Sequence, residues 1–331
     1  MNLTRCPENP IVTAGHQPWR KVASFNPGVV LSGDTFYMLE RACETLDPLK
    51  CNVGLLSSKD GIHFQLEQET PVLKPEDFDA PDGTVEDPRI VSIEGTFYMT
   101  FVFRRVVSGC IPNGIGVPGY TNLPGQGLDE GNPYRTGIVK SENLRDWEFL
   151  GFIPTDSNHD RDNVLFPGKI GGRYAMLRRP SDYVGPTYGC DRPSIWISFS
   201  EDLKEWTDPE LVAQPEADWE SQKIGAGTCP ALTEKGWLMV YHGVDDEHIY
   251  RAGLMLLDKE DPRKVIGRTQ DFIMEPETYY EKFGLIIPRV IFPSAFVVRD
   301  DTLYVYYGCT DTATSLATAP MSDVFAALEE G

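Results

Sequence analysis

Gly33-Asp34-Thr35-Phe36-Tyr37-Met38 and Gly95-Thr96-Phe97-Tyr98-Met99-Thr100 are two copies of one pattern, a tight turn followed by alternating aromatic and apolar residues. The pattern returns as Gly172-Arg173-Tyr174-Ala175-Met176, as Lys235-Gly236-Trp237-Leu238-Met239-Val240-Tyr241, and as Asp301-Thr302-Leu303-Tyr304-Val305-Tyr306-Tyr307. The aromatic anchors Tyr37, Tyr98, Tyr174, Trp237 and Tyr304 stand 61, 76, 63 and 67 residues apart. Alternation of period two predicts a half-buried strand entered through a turn.

A second element follows the first in three copies. It reads Ser57-Ser58-Lys59-Asp60-Gly61-Ile62-His63-Phe64, Ser141-Glu142-Asn143-Leu144-Arg145-Asp146-Trp147 and Ser200-Glu201-Asp202-Leu203-Lys204-Glu205-Trp206. Ser, Asn and Asp side chains bond their own backbone in such turns, so each copy predicts a strand in and a strand out. Five units of roughly four short strands make an all-β fold, a five-bladed β-propeller with a central active-site pocket. A β-sandwich with an extra domain would not give five copies at near-constant spacing. Residues 1–331 are read as one domain. The long interval comes from a Gly/Pro-rich stretch at about 106–134 with no strand or helix period, an inserted loop over one face. The run from Met321 to Leu328 is expected to form a short terminal helix capped by Ser322.

Composition narrows the function. At 41% hydrophobic the chain can bury a core, and its net charge of -20 repels nucleic acid and anionic membrane, so neither is expected as a partner. Met1 to Arg20 contains no apolar signal-peptide core, and no apolar run reaches membrane-spanning length. The seven cysteines are scattered, with no CxxC pair and no zinc-ligand spacing, which reads as reduced thiols in a cytoplasmic protein without a metal.

A propeller does not name a function; the polar residues around its central channel do. Five segments stand at equivalent places in the five units: Phe25-Asn26-Pro27-Gly28, Val85 to Ile90, His159 to Pro167, Gly225 to Pro230, and Ile291-Phe292-Pro293-Ser294. Each presents an irregular strand start to one locus. Taken with Tyr241-His242-Gly243-Val244-Asp245, Tyr250-Arg251-Ala252-Gly253, Asp258 to Arg268, and Tyr306-Tyr307-Gly308 with Asp311-Thr312, these segments resemble glycoside hydrolase family 130, the mannoside phosphorylases and their hydrolytic relatives. The resemblance runs nearly end to end. The Asp87-Pro88-Arg89 feature alone would not decide, because other five-bladed glycosidases share it.

The resemblance implies inverting phosphorolysis of a β-mannoside, giving α-mannose 1-phosphate and a shortened sugar. Asp87 would be the general acid, its proton reaching the glycosidic oxygen through a hydroxyl of the mannose. Phosphate, the co-substrate, is already an anionic nucleophile, so the site needs cations to hold it in line rather than a carboxylate base. Arg135, Arg161 and His242 stand where the family has phosphate ligands, with Tyr250 as a further donor. Asn26, Arg41 and Asp311 would hold the mannose, with Tyr307 or Phe292 stacking on it. Arg178-Arg179-Pro180 is expected to border the pocket. No metal or organic cofactor is implied. The alternatives are an inverting β-mannosidase of the same family, which needs a further carboxylate base, and a non-catalytic sugar-binding propeller. Linkage, acceptor sugar and oligomeric state stay open, with the N-terminal segment and the insert as the candidate pairing elements for a homo-oligomer.

Overall fold

A computed structural model describes residues 1–46, 49–81, 83–104, 111–112, 118–119 and 134–329. Every copy of the repeated pattern is the second strand of an antiparallel sheet: Thr35–Leu46, Thr96–Arg104, Tyr174–Pro180, Trp237–Val244 and Thr302–Cys309. Gly33 and Gly95 enter two of these strands at φ +61 and +89, backbone that most side chains disfavour. The five sheets are the blades of a five-bladed β-propeller. Their inner strands are Ala23–Ser32, Thr84–Ile93, Asp160–Leu165, Lys223–Ala226 (continued by Ala231–Leu232) and Ile291–Arg299, which number the blades 1 to 5.

The serine-led turns link the third and fourth strands of blades 1 to 3. Ser58 Oγ accepts from the Asp60 and Gly61 N–H groups, Ser141 Oγ from Asn143 and Leu144, and Ser200 Oγ from Asp202 and Leu203. Asp60, Asn143 and Asp202 then accept the next two N–H groups in turn. One local hydrogen-bond pattern thus sets the same reversal three times.

Alternation within the strands buries both faces of each blade against its neighbours. Leu39, Val53, Val85 and Met99 fill the junction of blades 1 and 2, and Ile93, Ile138, Leu165 and Met176 that of blades 2 and 3. Val164, Ile197, Ile224 and Met239 join blades 3 and 4, and Val240, Leu254, Ile291 and Val305 join blades 4 and 5. Val29, Met38, Val297 and Tyr306 complete the circle between blades 5 and 1.

The ring is closed by the chain's two ends. Thr4–Arg5 is the outermost strand of blade 5, paired with Ala317 and Thr318 on Ala313–Pro320. The C-terminal helix Met321–Glu329 buries Val324 and Leu328 in the cluster between blades 4 and 5. Ser322 does not cap it: the helix starts at Met321, directly after the last strand, so Ser322 lies inside the first turn and bonds Asp323.

The insert read at 106–134 lies outside the described residues, apart from the short pair Ile111–Pro112 with Pro118–Gly119 and its last residue, Tyr134. Its described flanks, Arg104 and Tyr134, stand at the end of the ring where the inner strands begin. Among the described residues no helix is long and apolar enough to cross a membrane.

Arg5 ties the closing strand to the body of the protein. Its guanidinium bonds both oxygens of Glu281 at 2.8 and 3.0 Å and the Glu275 carbonyl at 2.6 Å. The Glu281 side chain is fully buried, and it also accepts from the Tyr307 hydroxyl. Removing one partner strands a buried charge, so Arg5→Ala is expected to cost about 3 kcal/mol in a urea unfolding titration. A loss under about 0.5 kcal/mol would show that strand pairing alone closes the ring.

Candidate active site

The site begins with a backbone irregularity. In blades 1, 2, 3 and 5 the inner strand carries one more residue than its partner between Phe25 and Gly28, Glu86 and Arg89, Arg161 and Val164, and Pro293 and Ala295. Blade 4 departs further, with two more residues than its partner between Ala226 and Ala231. Such bulges break the ladder and re-aim side chains. Asn26, Asp87 and Asp162 sit in the first three bulges at φ +48, +50 and +54. Asn and Asp are the non-glycine residues that best tolerate this left-handed region. Because each interrupts the alternation, adjacent residues face the same way: Glu86 with Asp87, and Arg161 with Asp162, both open into the central cavity.

The second strands add a second layer. Arg41 pairs with Phe25 and Arg179 with Arg161, each just before the bulge, and His242 pairs with Gly225, one pair earlier in blade 4. All three side chains reach the same central cavity, which has a volume of about 90 Å3. Gly225 makes room for His242: a β-carbon there would stand 2.6 Å from the imidazole and 2.3 Å from Asp162.

On the side formed by blades 1, 2 and 5, Arg41 is the hub. Its Nη1 donates to Asp87 at 2.8 Å, its Nη2 lies 3.2 Å from Glu86, and its guanidinium stacks 4.5 Å above Phe25. Asn26 Nδ2 donates to Asp87 at 2.9 Å. Burial alone would raise the Asp87 pKa, but the charges of Arg41 and Arg89 and the Asn26 bond outweigh it and hold the carboxyl below its usual range. Asp311, at φ +50 in the loop after Cys309, lines the same side. Burial pushes its pKa up to about 7; the charges of Asp87 and Glu86 add to the push and Arg41 opposes it.

On the side formed by blades 3 and 4, Arg179 Nε donates to Asp162 at 2.5 Å, and His242 Nε2 lies 3.4 Å from the same carboxylate. Burial is again outweighed at Asp162, by Arg179 and then His242, so it stays ionised. His242 is wholly buried, and burial lowers its pKa to about 3 despite Asp162, so the resting imidazole is neutral. Neither ring nitrogen has a hydrogen-bond partner among the described residues. Tyr250 stacks beside the ring and Lys223 stands 5.1 Å over Tyr250. Arg161 packs against Tyr134, whose ring lies between the Arg161 and Arg104 guanidiniums at 4.1 and 4.3 Å. Among the described residues no carboxylate lies within ion-pair distance of Arg161 or Lys223, and Arg161 Nε has no hydrogen-bond partner.

Of the residues singled out from sequence, Asn26, Arg41, Asp87, Arg161, His242, Tyr250 and Asp311 meet in this cavity. Arg135 does not. It is exposed on the third strand of blade 2, 5.8 Å from the Phe152 ring. Alternation explains the miss: Tyr134 turns toward the cavity while Arg135, one residue on, turns to the outer face. Of the two stacking candidates, Phe292 lines the cavity, whereas Tyr307 is buried with its hydroxyl on Glu281. Arg178 faces away, paired with buried Asp160, and Arg179 is the member of that tract at the cavity. Sequence reading missed Glu86, Tyr134, Asp162 and Lys223 as lining residues. Among the described residues no group of three or more His, Cys, Asp or Glu could hold a metal ion.

The family model described as beta-1,4-mannooligosaccharide phosphorylase matches residues 4–330. A 1,2-beta-oligomannan phosphorylase of Thermoanaerobacter sp. (strain X514) is 36% identical over 98% of this chain and 99% of its own. A beta-1,2-mannobiose phosphorylase of the same organism is 34% identical over 95% and 96%. The solved beta-1,2-mannobiose phosphorylase of Listeria innocua, in complex with beta-1,2-mannobiose, superposes with a TM-score of 0.79 at 26% identity, covering 100% of both chains. The five-bladed ring with its polar centre therefore belongs to glycoside hydrolase family 130, the mannoside phosphorylases and their hydrolytic relatives.

Proposed function

We propose that the protein is an inverting β-mannoside phosphorylase acting on β-mannosyl disaccharides or oligosaccharides, and that Asn26, Arg41, Asp87, Arg161, His242, Tyr250 and Asp311, with Arg179 and Lys223, form its site. The observation that carries the reading is an imbalance. Arg161 and Lys223 face the cavity with no carboxylate in ion-pair contact among the described residues, beside an imidazole whose nitrogens lack partners. In a chain of net charge -20, such cations suit an anion brought from solution. Inorganic phosphate has the charge and the oxygen atoms to meet them.

Asp87 lies on the other side of the cavity, with the sugar-binding groups Asn26, Arg41 and Asp311. A mannosyl ring held between the two sides would meet phosphate on one face while its leaving oxygen takes a proton on the other, which inverts the anomeric carbon. Hydrogen phosphate brings one proton, and the departing sugar hydroxyl needs one, so the reaction balances with phosphate as the only co-substrate. The work of the protein is placement and charge stabilisation. Full-length likeness to two phosphorylases named for β-1,2 linkages makes β-1,2-mannooligosaccharides the first substrates to try. Use of phosphate as co-substrate favours a cytoplasmic place of action.

Purified protein given β-1,2- and β-1,4-mannobiose is expected to release mannose 1-phosphate only when phosphate is present; free mannose at equal rates with and without phosphate would make it a hydrolase. Asp87→Asn should lower turnover by ~10²–10⁴. Arg161→Ala should raise the phosphate KM by ~10–100-fold, the loss of a charge-assisted contact. Arg135→Ala, on the outer face, should leave it within about twofold.

His242 gives an independent reading by NMR. Without phosphate its ring signals should not titrate over roughly pH 5–8, because the neutral form is favoured by burial. Saturating phosphate should move its pKa upward, since a nearby anion favours imidazolium. An unmoved pKa would place the anion elsewhere.

A further inference from the structure

The four carboxylates in the cavity are not equivalent. Asp87 is bonded to Arg41, Glu86 lies between Arg41 and Arg104, and Asp162 is bonded to Arg179 with His242 beside it. Asp311 alone has no cation within ion-pair distance among the described residues. A general acid must arrive with a proton, yet Asp87 is the carboxylate with a guanidinium at 2.8 Å and an amide donor at 2.9 Å. Those contacts favour its ionised form. A proton needed by the leaving oxygen must then rest on another group in the cavity.

Asp311, the cavity carboxylate with no such cation beside it among the described residues, is that group. The Asn26 side chain reaches both carboxyls and gives an amide hydrogen to Asp87. Its Oδ1 is buried and has no donor among the described residues. Gly308 lets it sit there, since a β-carbon at that position would lie 1.7 Å from Oδ1. Burial, with the charges of Asp87 and Glu86, outweighs the Arg41 charge and the Asn26 amide, which favour an ionised Asp311. Arg41 comes from blade 1 and Glu86 and Asp87 from blade 2, while Gly284 to Ile287, which pack against the Asp311 loop, bring no titratable group. With two negative neighbours against one shared guanidinium, burial holds Asp311 uncharged up to about pH 7.

We propose that Asp311 is the resting carrier of the catalytic proton, sharing one proton with Asp87 across Asn26 and the bound mannoside. This rests on the phosphorylase reading above. On turnover the glycosidic C1–O bond breaks as a phosphate oxygen bonds C1. The Asp87–Asp311 pair yields its proton, by way of a sugar hydroxyl, to the departing oxygen. The proton of hydrogen phosphate then returns to the pair, leaving the mannosyl phosphate dianion. No other reactant is needed. Two carboxylates that cannot both ionise keep one proton available at neutral pH. Asp87 alone, beside Arg41, would lose it at much lower pH.

The test is the pH dependence of kcat/KM for β-mannobiose phosphorolysis, in wild type, Asp311→Asn and Asp311→Glu. Wild type should fall through a basic limb near pH 7. Asp311→Asn should lose ~100-fold or more at pH 7 but much less at low pH, its limb displaced downward by at least about one unit. Asp311→Glu should restore a limb near neutrality. If Asp311 only grips the sugar, Asp311→Asn loses the same factor at every pH and the wild-type limb stays in place; that overturns the proposal and leaves phosphorolysis intact. Wild type giving no mannose 1-phosphate at any pH overturns the phosphorylase reading itself. Thermal unfolding of each variant across the pH range separates loss of fold from loss of proton: a limb that follows the unfolding midpoint also counts against the proposal.

Discussion

The site depends on extra residues in inner strands that have few to spare. A regular inner strand would turn alternate side chains to opposite faces of its blade and send little to the axis. The bulges at Asn26, Asp87 and Asp162 forgo ladder bonding there and hold non-glycine residues in left-handed backbone. In return, neighbouring residues point one way, and a narrow channel receives more polar groups than alternation allows. The strain is tolerated because the surroundings over-determine it: each blade is packed on both faces, and the ring is locked by Arg5 and Glu281.

Charge pairing then divides the cavity into two regions. Arg41 gathers Asp87 and Glu86, and Arg179 holds Asp162. What is left over differs between the two sides: the cations Arg161 and Lys223 toward blades 3 and 4, and the proton-holding carboxyl of Asp311 toward blades 5 and 1. A reaction that joins an anion to a carbon while handing a proton to the departing oxygen needs that asymmetry. The neutrality of His242 serves the same end, since a buried imidazolium would draw Asp162 into a closed pair and leave less for an incoming anion.

The blades were legible because each is built from local signals. Tyr37, Tyr98, Tyr174, Trp237 and Tyr304 mark five second strands, and the turns at Ser58, Ser141 and Ser200 form by bonds within a few residues. Asp87, Arg161 and His242 were legible through motifs around them. Arg135 was misread because a strand's period is two, so a slip of one residue exchanges the cavity-facing position, Tyr134, for the outer face. Glu86 and Asp162 were passed over for the converse reason: beside a residue already placed in the cavity, alternation assigns the neighbour elsewhere, and only the bulge reverses this. Lys223 precedes the Gly225 segment and carries no local mark; its place in the cavity lining comes from the closing of the ring. Ser322 failed as a cap because the last strand runs straight into the helix.

The closing strand carries a consequence for how the protein is made. Thr4–Arg5 leaves the ribosome almost the whole length of the chain before Ala317 and Thr318, its pairing partners, and before Glu281, which Arg5 must meet. Blades 1 to 4 can take shape during synthesis, but the circle cannot shut until the last blade has emerged. Until then the nascent molecule is an open crescent, with an unfinished floor to its pocket and two uncovered apolar flanks. Competence and completeness arrive together, with the last blade.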